Sequence, residues 1–344
     1  MHFASDNSGP VHPQVLQALA EANTGYAMGY GDDAQMEALR GQLREVFEAP
    51  EAAVCLVATG TAANSLALAT LTHPYQTVFC SSVAHIHEDE CNAPEFFSGG
   101  AKLTLVAGGD RMTPQALRAS VEGEETRGVH GPQRGPVAIS QVTERGTVYS
   151  LDELRALTAV AAEFDLPVHL DGARFANAMV ALGCTPAEMS WKAGVDAVSF
   201  GGTKNGCMGV EAVIFFDPKH AWEFELRRKR GAHLFSKNRF LAAQMLGYLK
   251  DGLWQDSAAK ANANCAYLAE GLRKAGAEFL HSPDANMIFA SLPRATHQKL
   301  FTAGASYHLW DGPLEGPQGE MVGARFVCDW SMERELIDQL LALL

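Results

Sequence analysis

A single lysine closes the apolar run Val198-Ser-Phe-Gly-Gly-Thr-Lys-Asn-Gly206, with Thr203 beside it. Ligand sites of open α/β sheets lie at the carboxyl ends of strands, and a partly desolvated lysine there, near other cations, has its pKa lowered enough to form a Schiff base. A solvated loop lysine is the ordinary alternative. Upstream, His169-Leu-Asp-Gly-Ala-Arg174 again runs a strand straight into polar residues. Asp171 could hold a proton on a heterocyclic nitrogen, or only cap the next helix. In Ala58-Thr-Gly-Thr-Ala-Ala-Asn64 a strand gives way to an amphipathic helix at a glycine turn, where free N–H groups and the Thr61 hydroxyl suit a phosphate. The turn lacks the lysine of a P-loop and the full spacing of a dinucleotide fingerprint.

Ala84-His-Ile-His-Glu-Asp-Glu-Cys91 gathers His85, His87, Glu88, Asp89 and Glu90. Strand alternation would put His85 and His87 on one face, and such a cluster could ligate a metal. No second cluster with ligand spacing accompanies it, so no metal is expected. A histidine stacked on a cofactor ring, with a carboxylate nearby, is the better functional reading.

Short apolar runs alternate with helical stretches between about residues 50 and 216, as in βαβ units of a largely parallel sheet. The expected strands are Ala53–Thr59, Thr77–Ser82, Leu103–Ala107, Val137–Val142, Pro167–Asp171, Ala197–Gly201 and Glu211–Phe216. Ser150-Leu-Asp-Glu153 and Thr185-Pro-Ala-Glu188 read as capping boxes that open helices, and Thr113-Pro114 as a third helix start. Gly123–Pro136, rich in glycine and charge, reads as a surface loop or oligomer contact. Helices at Phe240–Lys250 and Ser257–Ala275, strands near Met287–Leu292 and Ala324–Cys328 and a helix from Ser331 suggest a smaller α+β domain over 241–344, after a large domain over 1–240.

The 344 residues, 47% of them hydrophobic, suffice for two cores. A net charge of −13, with the acids scattered, argues against nucleic acid as the partner, the basic cluster Arg227–Arg230 notwithstanding. The 7 cysteines form no C-x-x-C pair and are expected to be reduced. No apolar run reaches the ~20 residues of a membrane helix. A cytoplasmic protein without a membrane partner is the expectation.

Phosphate turn, stacking histidine, aspartate and lysine follow one another in chain order, each at the end of an expected strand. That order resembles fold-type I enzymes dependent on pyridoxal 5′-phosphate (PLP), the aspartate-aminotransferase fold: a mixed, mostly parallel seven-stranded sheet plus a small C-terminal α+β domain. Through Ser5-Asp-Asn7, Tyr30-Gly-Asp-Asp33, Gly60-Thr-Ala-Ala-Asn64, Ala84-His85, His169-Leu-Asp-Gly-Ala-Arg174 and Gly201-Gly-Thr-Lys-Asn205, the chain is similar over nearly its whole length to the low-specificity L-threonine aldolases of the β-eliminating lyase group. The resemblance implies aldol cleavage of β-hydroxy-α-amino acids to glycine and an aldehyde. It implies Lys204 as the Schiff-base lysine, Asp171 as partner of the pyridine nitrogen and His85 as the stacking residue. Gly60 and Thr61 would hold the phosphate, Thr203 and Arg174 would also contact the cofactor, and Ser5 and Arg174 would hold the substrate carboxylate, the N-terminal segment 1–14 thus contributing to the site. In Ala324-Arg-Phe-Val-Cys-Asp-Trp330, Arg325 matches a second carboxylate-binding arginine, which suits a bidentate clamp. It also implies active sites shared in a homo-oligomer, a dimer at least and plausibly a tetramer, with Lys237 of Gly231-Ala-His-Leu-Phe-Ser-Lys237 reaching a phosphate across the interface.

One departure stands out. Where many of these aldolases carry E-N-T-H, this chain has Gln141-Val-Thr-Glu144. Either Glu144 handles protons in place of that histidine, or substrate preference has shifted. His85, His87, Glu90, Glu144 and an activated water remain open as the general base. β-Elimination, transamination or racemisation on the same cofactor, a binding protein without turnover, and a metal enzyme built on His85–Cys91 are the competing readings.

Overall fold

The computed structural model describes residues 1–344. Seven strands make the main sheet: β1 (Ala53–Val57), β2 (Gln76–Ser81), β3 (Lys102–Val106), β4 (Gln133–Ser140), β5 (Val168–Gly172), β6 (Ala197–Gly201) and β7 (Glu211–Phe215), in the order β1-β7-β6-β5-β4-β2-β3. β3, β2, β4, β5 and β6 are parallel, while β7 runs antiparallel to both neighbours. The expected mixed, mostly parallel sheet is therefore present. β1, β5, β6 and β7 are buried throughout, which is why they appear in the sequence as unbroken apolar runs rather than alternating ones.

Helices α1 (Pro13–Ala22), α2 (Ala34–Val46), α3 (Gly60–Leu71), α4 (His85–Glu88), α5 (Ala93–Ser98), α6 (Pro114–Gly123), α7 (Leu151–Glu163), α8 (Phe175–Leu182) and α9 (Ala221–Arg230) accompany the sheet. Ser150 and Glu153 close the reciprocal capping box of α7, and Thr113 caps α6. Four expectations need correction. Thr185 and Glu188 exchange both capping bonds, yet no α-helix follows, only turns that run into one 3-10 turn at Trp191–Ala193. The anticipated loop ends early, because β4 already begins at Gln133; its irregular register beside β2 falls near Pro136, which has no N–H for the ladder. α3 is not amphipathic: Ala62 to Leu71 are all buried, since α5 and α9 cover the side facing away from the sheet. His85 and His87 lie on α4 rather than a strand, so helical geometry turns them apart.

α10 (Arg239–Leu249) packs on α1 and α2, and its Leu241, Met245 and Tyr248 join the large core beside the sheet. After it come α11 (Leu253–Lys274), β8 (Glu278–Phe279), β9 (Met287–Pro293), α12 (Arg294–Thr302), β10 (His308–Leu309), β11 (Met321–Val327) and α13 (Arg334–Leu341). The strands form an antiparallel sheet, order β10-β11-β9-β8, over a second core. The chain's first residues belong to that core: Phe3 is buried in it, Phe3 N donates to Ser306 O at 2.7 Å, and Val327 N donates to Phe3 O at 2.8 Å.

Candidate active site

The carboxyl ends of β4, β5 and β6 and the start of α3 open on one cleft of about 340 Å³. Lys204, Thr203, Asp171, Arg174, His85, Glu144, Gly60 and Thr61 all line it. Lys204 sits in a single 3-10 turn, Thr203–Asn205, directly after β6. Asn205 anchors that turn, its amide donating to Tyr248 Oη at 2.7 Å and to Trp254 O at 2.8 Å.

At the opposite wall Thr59 caps α3 by accepting from Ala62 N at 3.2 Å. The Gly60 and Thr61 amides have no partner in the chain, and a Cβ on Gly60 would meet open space. Two unpaired N–H groups at a helix N-terminus, facing a cleft, form a cradle for an anion. Thr59 itself carries no role in the sequence reading; its position just before the glycine was the available signal.

Asp171 is buried at the end of β5. Its Oδ1 accepts from Ala173 N at 3.0 Å and its Oδ2 from Asn64 Nδ2 at 2.8 Å, so the local turn-capping role and the cleft-facing role coexist. Burial alone would raise its pKa; His85, the Ala173 N–H, His169 and Lys204 outweigh that and hold it below the usual aspartate range. Asp171 is thus an anion in a desolvated place, able to keep a ring nitrogen protonated. The same Asn64 amide also donates to Glu90 Oε1 at 2.9 Å, and Glu90 Oε1 lies 2.8 Å from His85 Nδ1. Asn64 therefore ties two carboxylates together, a part that the motif around it did not reveal.

The hydrogen bond that His85 Nδ1 donates to Glu90 is the main reason that the His85 pKa is raised, against the opposing effect of burial. Glu90 stands behind His85 rather than in the cleft, with Asn64, Ser65 and His85 around its oxygens, so it can act on a substrate only through the imidazole. His87 is exposed and outside the cleft. Glu144 lines the cleft, its pKa raised by burial although His85 pulls the other way. Its loop is held by Asp110, which accepts from Thr143 Oγ1 at 2.6 Å, Arg145 N at 3.0 Å and Thr147 Oγ1 at 3.1 Å.

Arg174 is gripped by Asp6, with Nε to Oδ2 at 2.7 Å and Nη2 to Oδ1 at 2.9 Å. Asn286 Nδ2 donates to the same Asp6 Oδ2 at 3.0 Å. The sequence reading singled out the neighbour, Ser5, whose Oγ instead accepts from Asn7 N at 3.1 Å and which does not line the cleft. Arg325, on β11, also stands outside the lining; its Nη2 donates to Ala4 O at 3.1 Å and its buried Nε has no partner. Burial and the nearby Arg174 lower its pKa. Lys237 is exposed and away from the cleft of this chain.

A family model described as beta-eliminating lyase matches residues 2–294. The chain belongs to that family. Within the beta-eliminating lyases it is similar to proteins named low specificity L-threonine aldolase. The one from Pseudomonas sp. is 41% identical over 343 residues, 99% of this chain and 96% of the relative. That of Pseudomonas aeruginosa is 42% identical over 340 residues, 98% and 95% of the two chains. The structure of Leishmania major threonine aldolase superposes with a TM-score of 0.92 at 25% identity, covering 99% of this chain and 98% of that one. The family model ends before β10 and β11, whereas the match to the Leishmania major structure covers both sheets.

Proposed function

We propose that this protein is a PLP-dependent aldehyde-lyase that cleaves L-β-hydroxy-α-amino acids of the threonine, allo-threonine and phenylserine type to glycine and an aldehyde. The observation that carries the reading is the convergence of a strand-end lysine, a buried ionised aspartate and two unpaired helix amides on one cleft. These residues fit the cofactor's three recognisable parts. Lys204 would hold its aldehyde carbon, Asp171 its ring nitrogen, Gly60 and Thr61 with Thr203 its phosphate, and His85 would stack on the ring. Bound there, PLP supplies an electron-withdrawing ring that takes up the electron pair released when a bond to Cα breaks.

The chain's own residues then bind and move protons. Arg174, oriented by Asp6, offers its remaining N–H groups to the substrate carboxylate, and Arg325 adds positive charge behind it. An ionised Glu90 beside Nδ1 keeps the His85 proton there, which leaves Nε2 to accept the β-hydroxyl proton. Glu144 is the second group in the cleft able to take that proton, and its raised pKa suits a return delivery to Cα.

Aldol cleavage is favoured over β-elimination or transamination because two relatives, 41% and 42% identical over nearly the whole chain, carry the aldolase name. Incubation with L-threonine and L-allo-threonine tests this: glycine with acetaldehyde supports it, whereas ammonia with a keto acid overturns it. Borohydride reduction and peptide mapping of the protein with PLP should place the label on Lys204. A protein that takes up no PLP sinks the reading.

We infer further that the chain has a large cofactor-binding part over 1–240 and a small C-terminal part over 241–344; the second core supports a separate C-terminal part, although α10 still packs into the first core and Phe3 into the second. A homo-oligomer is proposed as well, a dimer at least and a tetramer by analogy with the resemblance. Tyr26, Met28, Trp222 and Leu226 are large apolar side chains left exposed in the single chain, and Lys237 would gain a role only at a neighbour's cleft. Light scattering on the purified protein checks the count. No helix is long and apolar enough to cross a membrane. The free cysteines suit the cytoplasm, where we place the protein.

A further inference from the structure

A buried carboxylate in the cleft wall has no part in the scheme above. Glu211 opens β7 opposite Gly201, the last residue of β6, and is only 6% exposed. Its Oε2 accepts from Gly202 N at 2.8 Å, the amide immediately before the turn that carries Lys204. Thr203, inside that turn, accepts through Oγ1 at 3.2 Å from the N–H of Val210, the residue just before β7, so two successive residues, Val210 and Glu211, hold the turn. Both Glu211 and Lys204 line the cleft.

We propose that Glu211 is a positioning residue for Lys204, fixing the lysine's turn through the Gly202 N–H and serving as the buried counter-charge against which the lysine nitrogen gains and loses its proton. The groups that face Glu211 are Thr203 and Lys204 from the turn, Asp171 from β5, and Cys207 and Tyr248 behind it. Lys204 is the one cation among them. Burial pushes Glu211 up to about 7 against the pull of Thr203, Gly202 and Lys204, so its charge changes within the working pH range. A structural carboxylate needs only the bond to Gly202. One that also faces the amine couples the lysine's charge to its own.

The inference rests on Lys204 being the PLP lysine, and the experiment separates the two claims. Glu211→Gln keeps the shape and the acceptor for Gly202 N–H but removes the charge; Glu211→Asp keeps the charge and withdraws it. Visible absorbance of each holoprotein is followed against pH, since it reports protonation of the lysine–cofactor linkage. Removing a nearby negative charge should lower that midpoint, by about one unit for Glu211→Gln, and Glu211→Asp should restore at least half of the shift. PLP affinity should fall about 3-fold or less in the glutamine variant. A midpoint unchanged from wild type in Glu211→Gln overturns the counter-charge role. Loss of PLP labelling at Lys204 in the wild type overturns the underlying reading instead. Should Glu211→Gln not fold, the aspartate variant decides through its withdrawn acceptor for Gly202 N–H: faster PLP release than wild type supports the grip on the lysine's turn, and unchanged PLP release overturns it.

Discussion

Asp6 holds Arg174 side-on, two nearly parallel N–H···O bonds joining residues 168 positions apart in the chain. Both side chains are withdrawn from water, Arg174 to 12% and Asp6 to 1% exposure, so each depends on the other for its charge.

Asp6→Ala should therefore lose more than an ordinary surface pair. Leaving a buried partner uncompensated costs about 3–5 kcal/mol. KM for the amino acid should rise at least about 10-fold, because Arg174 loses its orientation. Burial raises the Asp6 pKa, but Arg174, Lys204 and Asn286 lower it further, leaving it below its ordinary value of 3.8. A depressed carboxylate stabilises the fold above the unfolded-state pKa and loses that contribution as pH falls through the folded one. Acid titration of stability should thus drop more steeply below pH 3.8 in the wild type than in Asp6→Asn.

Asn64 serves two carboxylates with one amide, so its loss leaves Glu90 and Asp171 each short of a donor. Asn64→Ala should lower stability by about 1–3 kcal/mol and weaken PLP binding. Asn64→Asp should be worse, since it sets a third carboxylate against the other two. Equal PLP retention by both variants, measured by absorbance after gel filtration, would contradict this.

Glu90→Gln removes the main support of the raised His85 pKa. If neutral His85 is the base, the acid limb of kcat/KM moves to lower pH, because the imidazole then stays unprotonated further down. The maximal rate falls too, since a glutamine amide can donate to Nδ1 and transfer the remaining ring proton to Nε2. An unmoved limb would assign it to Glu144.

Glu144→Gln should lower kcat by about 100-fold while leaving KM within a few-fold. Asp110→Ala removes three hydrogen bonds from the Glu144 loop without touching the cleft, and its kcat should fall in parallel. Steady-state kinetics of the double variant test the link: the two losses should be far from additive.

The sequence carried those features whose cause is local. β1, β5, β6 and β7 were legible as apolar runs, and Lys204, Asp171, Gly60 and Thr61 by their place after them. α2 carries a local start signal of the same kind, Asp33 accepting from Met36 N at its first turn. β8 and β10, two residues each, offer no pattern at all. The roles of Asp6, Asn64 and Glu211 depend on where strands and turns meet in space, and periodicity says nothing about that. His85 and His87 misled because a four-residue helix is too short to display its period.

The pairing of Phe3 with both Ser306 and Val327 sets the order in which the site can be built. Synthesis delivers Asp6 long before β11, so the grip on Arg174 must wait until Val327 has left the ribosome. A nascent chain that has completed the sheet around Lys204 still has no fixed guanidinium for a substrate. Competence is acquired in one late step, and fragments clipped before β11 should carry the lysine without the chemistry.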